Sequence, residues 1–371
     1  MEDKVVTCHI GGRAGSIGFP DFPNFKNEIK HIIFDADESC INQIKDKWEN
    51  ADVFPYFIGD TQSEVEFNIN YCPYTSSVYN FNKNYKDYYF ESGKTDYVLG
   101  NVTKTQKKIN IETKSLDYLV KNNLIPKPNF LSIDTQGSEF QVLQGSENIL
   151  NDSIVAVSCE INFQELYKGS ILFTEIDNFM KKNDFTLVEI VSFNLGHRRI
   201  QREYRGKGIP LQGEAMYFRN PEKIASKSIN SRELLFKLAF ISLAFGYTEF
   251  SFDTLKKIKD LKKISSDYQN VLIEFMNRVE TNSILPPLWD EVYTFEESNN
   301  RFSNLNRNNV INKQTLNYRI IRKLSLILNK FFSILYLQIN FKPKNNNFEK
   351  FLLKNNFTIA VSEIRKRKNI S

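Results

Sequence analysis

The stretch VVTCHIGGRAG (residues 5–15) carries a short β-favouring run directly into a cluster of glycines. A run of that length bounded by glycine predicts a buried strand. Glycine at the junction lets backbone approach a ligand that any Cβ would block. The glycines lack the GxGxxG spacing of a dinucleotide fold, which argues against a nicotinamide enzyme. Outward from this turn, the next run, HIIFDAD (residues 31–37), ends in acids, and Asp35 lies 20 residues beyond Gly15. A carboxylate there can accept hydrogen bonds from a ribose diol, roughly 1.5–3 kcal/mol each. The third run, VFPYFIG (residues 53–59), leads into Asp60, placed for the rim of the same pocket.

The alternation continues to about residue 220. FLSIDT, VAVSCEI, LVEIVSF and EAMYFRN are further predicted strands separated by helical segments, and VEFNINY is an extra strand or hairpin arm. Strands alternating with helices imply an α/β fold on a mainly parallel sheet. Ligands of such sheets bind beyond the carboxyl ends of the strands. Asp35, Asp37, Asp134 and Glu160 all stand at such ends. In LSIDTQGSEF (residues 131–140), Asp134 closes a strand, while Ser138 and Glu139 suit the first turn of the following helix.

The totals narrow the function classes. A chain of 371 residues, 41% hydrophobic and 13% aromatic, can bury sizeable cores and is expected to form two domains. Cys8, Cys40, Cys72 and Cys159 lie too far apart for a paired zinc site or a disulfide scaffold. Three histidines make a histidine-rich metal centre untenable, so no metal is expected. The start of the chain shows no secretory signal pattern, and a cytoplasmic location is expected.

Taken together, the residues resemble the FkbM family of S-adenosylmethionine-dependent methyltransferases, over roughly residues 5–220. The family's glycine motif (Asp, any, Gly, Ala, any, any, Gly) is similar to HIGGRAG at residues 9–15. FDAD at residues 34–37 and IGDTQSEVEF resemble its second- and third-strand motifs. SIDTQGSEFQVLQG resembles its fourth-strand pattern, Lys-Ile-Asp, any two, Gly, any, Glu, then Leu-any-Gly. CEINFQELYKG and LFTEIDNFM resemble its glutamate-bearing fifth strand and the acidic helix that follows. Two departures change the chemistry: His9 stands where Asp is usual, and Ser132 where Lys is usual.

The resemblance implies a class I methyltransferase fold, a Rossmann-like seven-stranded sheet with helices on both faces. It also implies O-methylation of a hydroxyl on a sugar, glycan or secondary metabolite, with S-adenosylmethionine as donor. His9, Gly11, Gly12, Gly15, Asp35, Asp60 and Asp134 are the expected cofactor-binding residues. Asp134 is the first candidate for base or cofactor contact, and Glu139 the second, against a plain role for Glu139 as a helix-start charge. Glu160 and His197 are candidates on the acceptor side. His197 precedes Arg198, Arg199, Arg202 and Arg205, a run that would suit an anionic acceptor or simply form a solvated loop. Ser76 and Ser77 match a paired serine of the family and either border the pocket or satisfy a turn near Pro73. The alternative reading is a non-catalytic binding or scaffold protein that keeps the fold, motivated by the departures at His9 and Ser132.

Beyond Pro221 the pattern turns helical, as in RELLFKLAFISLAFG, which stops at Gly246. The expected division is a methyltransferase domain over residues 1–221 and a helical, basic extension over 222–371. Residues 301–371 hold 15 Lys plus Arg against 2 Glu, a balance of +13, which leaves the first 300 residues at −8. Within that tail, residues 315–341 are apolar over much of a helical circumference, but Asn329 and Lys330 interrupt the run a membrane span needs. The segment is expected either to pack on the protein as an amphipathic helix or to attach it to an anionic membrane surface on the cytoplasmic side. No nucleic-acid signature accompanies the charge, so nucleic acid is disfavoured as a partner.

Overall fold

The structure is a computed structural model that describes residues 4–12, 16–48, 50–90, 97–198, 204, 206–227, 230–258, 266–282 and 347–370. Gly15, Arg199, Arg202, Arg205 and the segment 315–341 lie outside the described residues. The chain forms two compact units, one comprising Met1–Met276 with Leu352–Ser371, the other Asn277–Phe351.

β1 (Val5–Ile10) is followed by β2 (Ile29–Phe34), α1 (Glu38–Lys47) and β3 (Ala51–Phe54). Next come β4 (Phe57–Ile58), β5 (Ser63–Asn70), β6 (Tyr88–Phe90), β7 (Tyr97–Val98), α2 (Leu99–Val102) and β8 (Thr105–Lys114). The chain re-enters the main sheet through α3 (Leu116–Lys121), β9 (Phe130–Ile133), α4 (Glu139–Gln144), α5 (Glu147–Asp152) and β10 (Ala156–Asn162). Then follow α6 (Phe173–Lys182), β11 (Phe185–Arg198) and β12 (Ile209–Arg219). The later helices are α7 (Pro221–Lys227), α8 (Ser231–Ala244), α9 (Thr248–Leu255), α10 (Asp267–Asn282), α11 (Asn347–Lys354) and α12 (Thr358–Ile370).

The main sheet runs β3-β2-β1-β9-β10-β12-β11-β6-β7. The first five strands are mutually parallel, and β12 lies antiparallel between β10 and β11. These seven realise the expected sheet, to which the hairpin β6–β7 adds two strands at the β11 edge. The chain steps outward from β1 to β3 and then returns to β9 on the other side of β1. The carboxyl ends of β1 and β9 therefore flank the topological switch point, where a ligand crevice is expected.

Alternation along the strands sends residues to two layers. Val6, Cys8, Ile10, Leu131, Ile133, Val157 and Cys159 meet Leu119 of α3, Val142 and Leu143 of α4, Leu150 of α5 and Ile176 and Met180 of α6 in one core. On the opposite face Phe130 packs at 5.3 Å from both Phe19 and Phe245, and Phe218 at 5.0 Å from Tyr247 and 4.9 Å from Phe250. Every residue of α8 from Leu234 to Ala244 is buried. That explains its apolar character on all sides, since only a helix covered all round tolerates it. Phe240 at its centre touches Phe22, Phe25, Tyr268 and Phe357.

Two strand expectations change. VFPYFIG is not one strand: Pro55, which has no N–H for a ladder, separates β3 in the main sheet from β4 in a second sheet of order β4-β8-β5. β8 was not foreseen, because its sequence TQKKINIETK exposes most positions and turns only Ile109, Ile111, Thr113 and Lys114 toward cover. Among the described residues no helix is long and apolar enough to cross a membrane.

Candidate active site

The glycine turn is fixed by its neighbours. The N–H groups of Gly11 and Gly12 both donate to the Phe34 carbonyl, at 3.0 and 3.1 Å, and the Asp134 N–H donates to the Ile10 carbonyl at 3.0 Å. The ends of β2, β1 and β9 are thereby tied together. Gly11 has φ +99°, and a Cβ there would lie 2.0 Å from the Asp134 carbonyl oxygen. At Gly12 a Cβ would lie 2.2 Å from Ile33 Cγ2. Only glycine fits either place.

Beyond this turn opens a cavity of about 190 Å³ lined by Gly11, Asp35, Tyr56, Ser76, Asp134 and Gln136, among others. Asp35 follows the last residue of β2, and its Oδ1 accepts the Asp37 N–H at 2.9 Å. The three residues read from the sequence as one pocket thus share one. Asp60 is solvent-exposed and lines neither this cavity nor the two described below.

His9 also borders the cavity. Its Nδ1 is 2.9 Å from Ser132 Oγ, and the two residues are register partners on β1 and β9. Burial holds the imidazole well below its ordinary range, at about 4, so it is neutral at neutral pH. The two departures from the family pattern are therefore one feature. Where that pattern sets Asp against Lys across the strand pair, this chain sets a neutral hydrogen-bonded pair, leaving no unmatched buried charge. Gly18, at φ +60°, lies over the pair, and a Cβ there would be 2.3 Å from Ser132 Oγ.

The turn after β9 organises the carboxylates. Gln136 Nε2 donates to Asp134 Oδ1 at 2.8 Å and to Glu160 Oε2 at 3.1 Å. The buried Tyr167 hydroxyl donates to Gln136 Oε1 at 3.0 Å, which fixes the amide with its nitrogen toward the acids. Gln136 holds φ +57°, a left-handed conformation that its contacts sustain, including the Ser77 hydroxyl on its carbonyl at 2.7 Å. Ser77 is fully buried in this role, whereas Ser76 reaches the cavity.

Asp134 is accessible within the clefts yet closely surrounded by protein. Desolvation first, then the charge of Glu214, raises its pKa against the Gln136 hydrogen bond. Glu160 is raised well above the usual carboxylate range, by desolvation and then by Asp134 and Glu139. Glu214 pairs in register with Glu160 and accepts from Ser158 Oγ at 2.5 Å.

Glu139 does different work. Its carboxylate accepts the Thr135 N–H at 2.9 Å and the Gly137 N–H at 3.0 and 3.1 Å, closing the turn from within. It is buried, lines none of the three cavities, and burial pushes its pKa up to about 7.

Two further cavities adjoin the first at Asp134, which lines all three. One, of about 280 Å³, is bordered by His9, Ser132, Glu160 and Glu214. The other, of about 490 Å³, has aromatic walls from Tyr74, Phe81, Phe90, Tyr97 and Tyr167, with Glu160 and Gln212 among its polar groups. Sequence reading missed these walls. The signal was there: eight of the twenty residues from 71 to 90 are aromatic. Phe90, Leu99, Leu166, Tyr167 and Leu211 form a small core of their own beneath that region. His197 is not brought to these cavities: it pairs with Tyr89 and stacks on its ring at 5.6 Å.

A parallel sheet with a glycine turn at its switch point and an acid after its second strand defines a Rossmann-like ligand-binding domain. Residues 9–187 match the family model described as the methyltransferase FkbM domain. That match covers just under half of the chain and identifies an FkbM-type methyltransferase domain within it. A stretch of 89 residues is 33% identical to the hexuronic acid methyltransferase AglP of Haloferax volcanii, covering 22% of this chain and 37% of that protein. The chain thus spans well under half the length of that curated relative. A crystal structure of methyltransferase FkbM from Methylobacillus flagellatus KT aligns with a TM-score of 0.30 at 12% identity, over 58% of this chain and 44% of that one.

Proposed function

We propose that this methyltransferase moves a methyl group from S-adenosylmethionine to a hydroxyl of a sugar or glycan. The observation that carries the reading is the place of Asp134, where the glycine-turn cavity meets the aromatic one. The first cavity suits the donor. Its floor is backbone that a Cβ would fill at Gly11, and its far side presents the Asp35 carboxylate and the Tyr56 ring. Asp35 would accept from the ribose hydroxyls, and the Gly11–Gly12 turn would admit the chain of the donor. When bound, S-adenosylmethionine supplies an electrophilic methyl carbon on a sulfonium whose sulfur retains the electron pair of the broken bond.

The protein's own part is placement and proton removal. Orientation of reacting groups is worth about 7–11 kcal/mol in well-aligned systems. Glu160, facing the aromatic cavity, would take the acceptor hydroxyl proton as the carbon–oxygen bond forms, a contribution of about 10²–10⁴ in rate. Asp134 would stand between donor and acceptor. Gln136, held by Tyr167, keeps both carboxylates oriented as acceptors, and Glu139 shapes the turn that carries them. Aromatic walls suit the apolar faces of a pyranose ring, and the AglP relative, named for a hexuronic acid, supports a sugar acceptor. We assign the chemistry to residues 1–221 and regard 222–371 as its extension.

Titration calorimetry tests this directly. Both the donor and its demethylated product should bind, and Asp35→Ala should weaken each by about tenfold or more, as expected from losing one charge-assisted hydrogen bond. Absence of heat with both ligands would leave a binding or scaffold protein as the better description.

A further inference from the structure

We propose that the aromatic cavity takes a sugar hydroxyl with no negative charge beside it and discriminates against hexuronates, the acceptor class named for the relative. The inference rests on reading that cavity as the acceptor site. Asp134 and Glu160 line it, and Glu214 joins them at the adjoining cavity, its Cα paired with that of Glu160 across β10 and β12. The Gln136 amide donates one N–H to Asp134 and the other to Glu160 and has no further hydrogen to offer. Among the described residues that line the aromatic cavity, none is Lys, Arg or His.

Of the described residues of the basic run, two are turned elsewhere. Arg198 lies over the Tyr88 ring at 4.5 Å, and His197 stacks on Tyr89, so the described part of the basic run braces the hairpin. A uronate carboxylate entering beside the reacting hydroxyl would meet the Asp134 and Glu160 oxygens with no cation in the described lining and no spare Gln136 N–H to pair with it. A neutral pyranoside offers hydroxyl donors to the same groups and its C–H face to the Tyr97 and Phe81 rings. Like-charge juxtaposition is a recognised source of specificity.

The experiment uses the full chain saturated with the demethylated donor and two matched probes, methyl β-glucopyranoside and methyl β-glucuronide, titrated by ligand-detected NMR at millimolar concentration. The glucopyranoside should bind at least tenfold more tightly at low salt. The gap should narrow as salt is raised, because screening weakens the repulsion, and narrow again in Glu214→Gln. Equal or tighter binding of the glucuronide, a gap indifferent to salt, or no saturable binding of either probe would overturn the proposal. Calorimetric binding of the demethylated donor to the same sample separates the two failures: its absence defeats the methyltransferase assignment, and its presence confines the loss to acceptor charge.

Discussion

His9 and Ser132 show how a charge pattern can be replaced without being broken. Substituting His9→Asp alone sets a carboxylate among buried groups opposite the uncharged Ser132, and stability should fall by about 3 kcal/mol. Adding Ser132→Lys should recover a large part of that loss, because the pair faces across β1 and β9 in register. Urea midpoints of the two single variants and the double variant measure the coupling; additive effects would mean that the positions do not act as a pair. Glu139 makes a prediction of opposite character. Its folded pKa of about 7 exceeds the ordinary 4.5, so the folded state holds the proton more tightly and this group's stabilisation is fully present only below pH 4.5. Stability should decline as pH rises from about 4.5 to 7, by roughly 3 kcal/mol from this group. Glu139→Gln should flatten that slope, which urea midpoints at pH 5 and pH 7.5 would show. The sequence revealed both acids of LSIDTQGSEF but could not divide their labour. The residue that turns its oxygens inward to backbone N–H and the one that faces a cleft carry the same chemistry on paper.

At the scale of elements, the glycine turn and the ends of β2 and β9 were legible because close backbone approach excludes all side chains but hydrogen. The hairpin β6–β7 and the strand β8 were not, being short or largely exposed, with apolar contrast too low to stand out. Yet that hairpin supplies Phe90 and Tyr97 to the wall of the aromatic cavity. Tyr97→Ala should weaken binding of methyl β-glucopyranoside by about fivefold, in keeping with the ~1 kcal/mol contribution of an aromatic contact, while calorimetry of the demethylated donor stays unchanged. A matching loss of donor affinity would show that β7 shapes both pockets and would remove it as an acceptor element.

For the molecule as a whole, the helical pattern that became α8 was legible as helix, but its position on the sheet was not readable. A segment apolar on all sides states that it is covered without stating by what. In the structure α8 belongs to the layer over Phe130 and Phe218, together with Phe245, Tyr247 and Phe250. A fragment of residues 1–221 should therefore expose an aromatic face, bind a hydrophobic dye and precipitate, whereas the full chain should remain dispersed. A fragment that gives a cooperative melt near that of the full chain would show that this layer is dispensable.

Phe357, from late in the chain, closes on Phe22, Phe25 and Phe240. During synthesis Phe22 and Phe25 are made more than three hundred residues before this partner. A chain cut before Phe357 should thus leave Phe22, Phe25 and Phe240 partly uncovered and melt at a lower temperature than the whole.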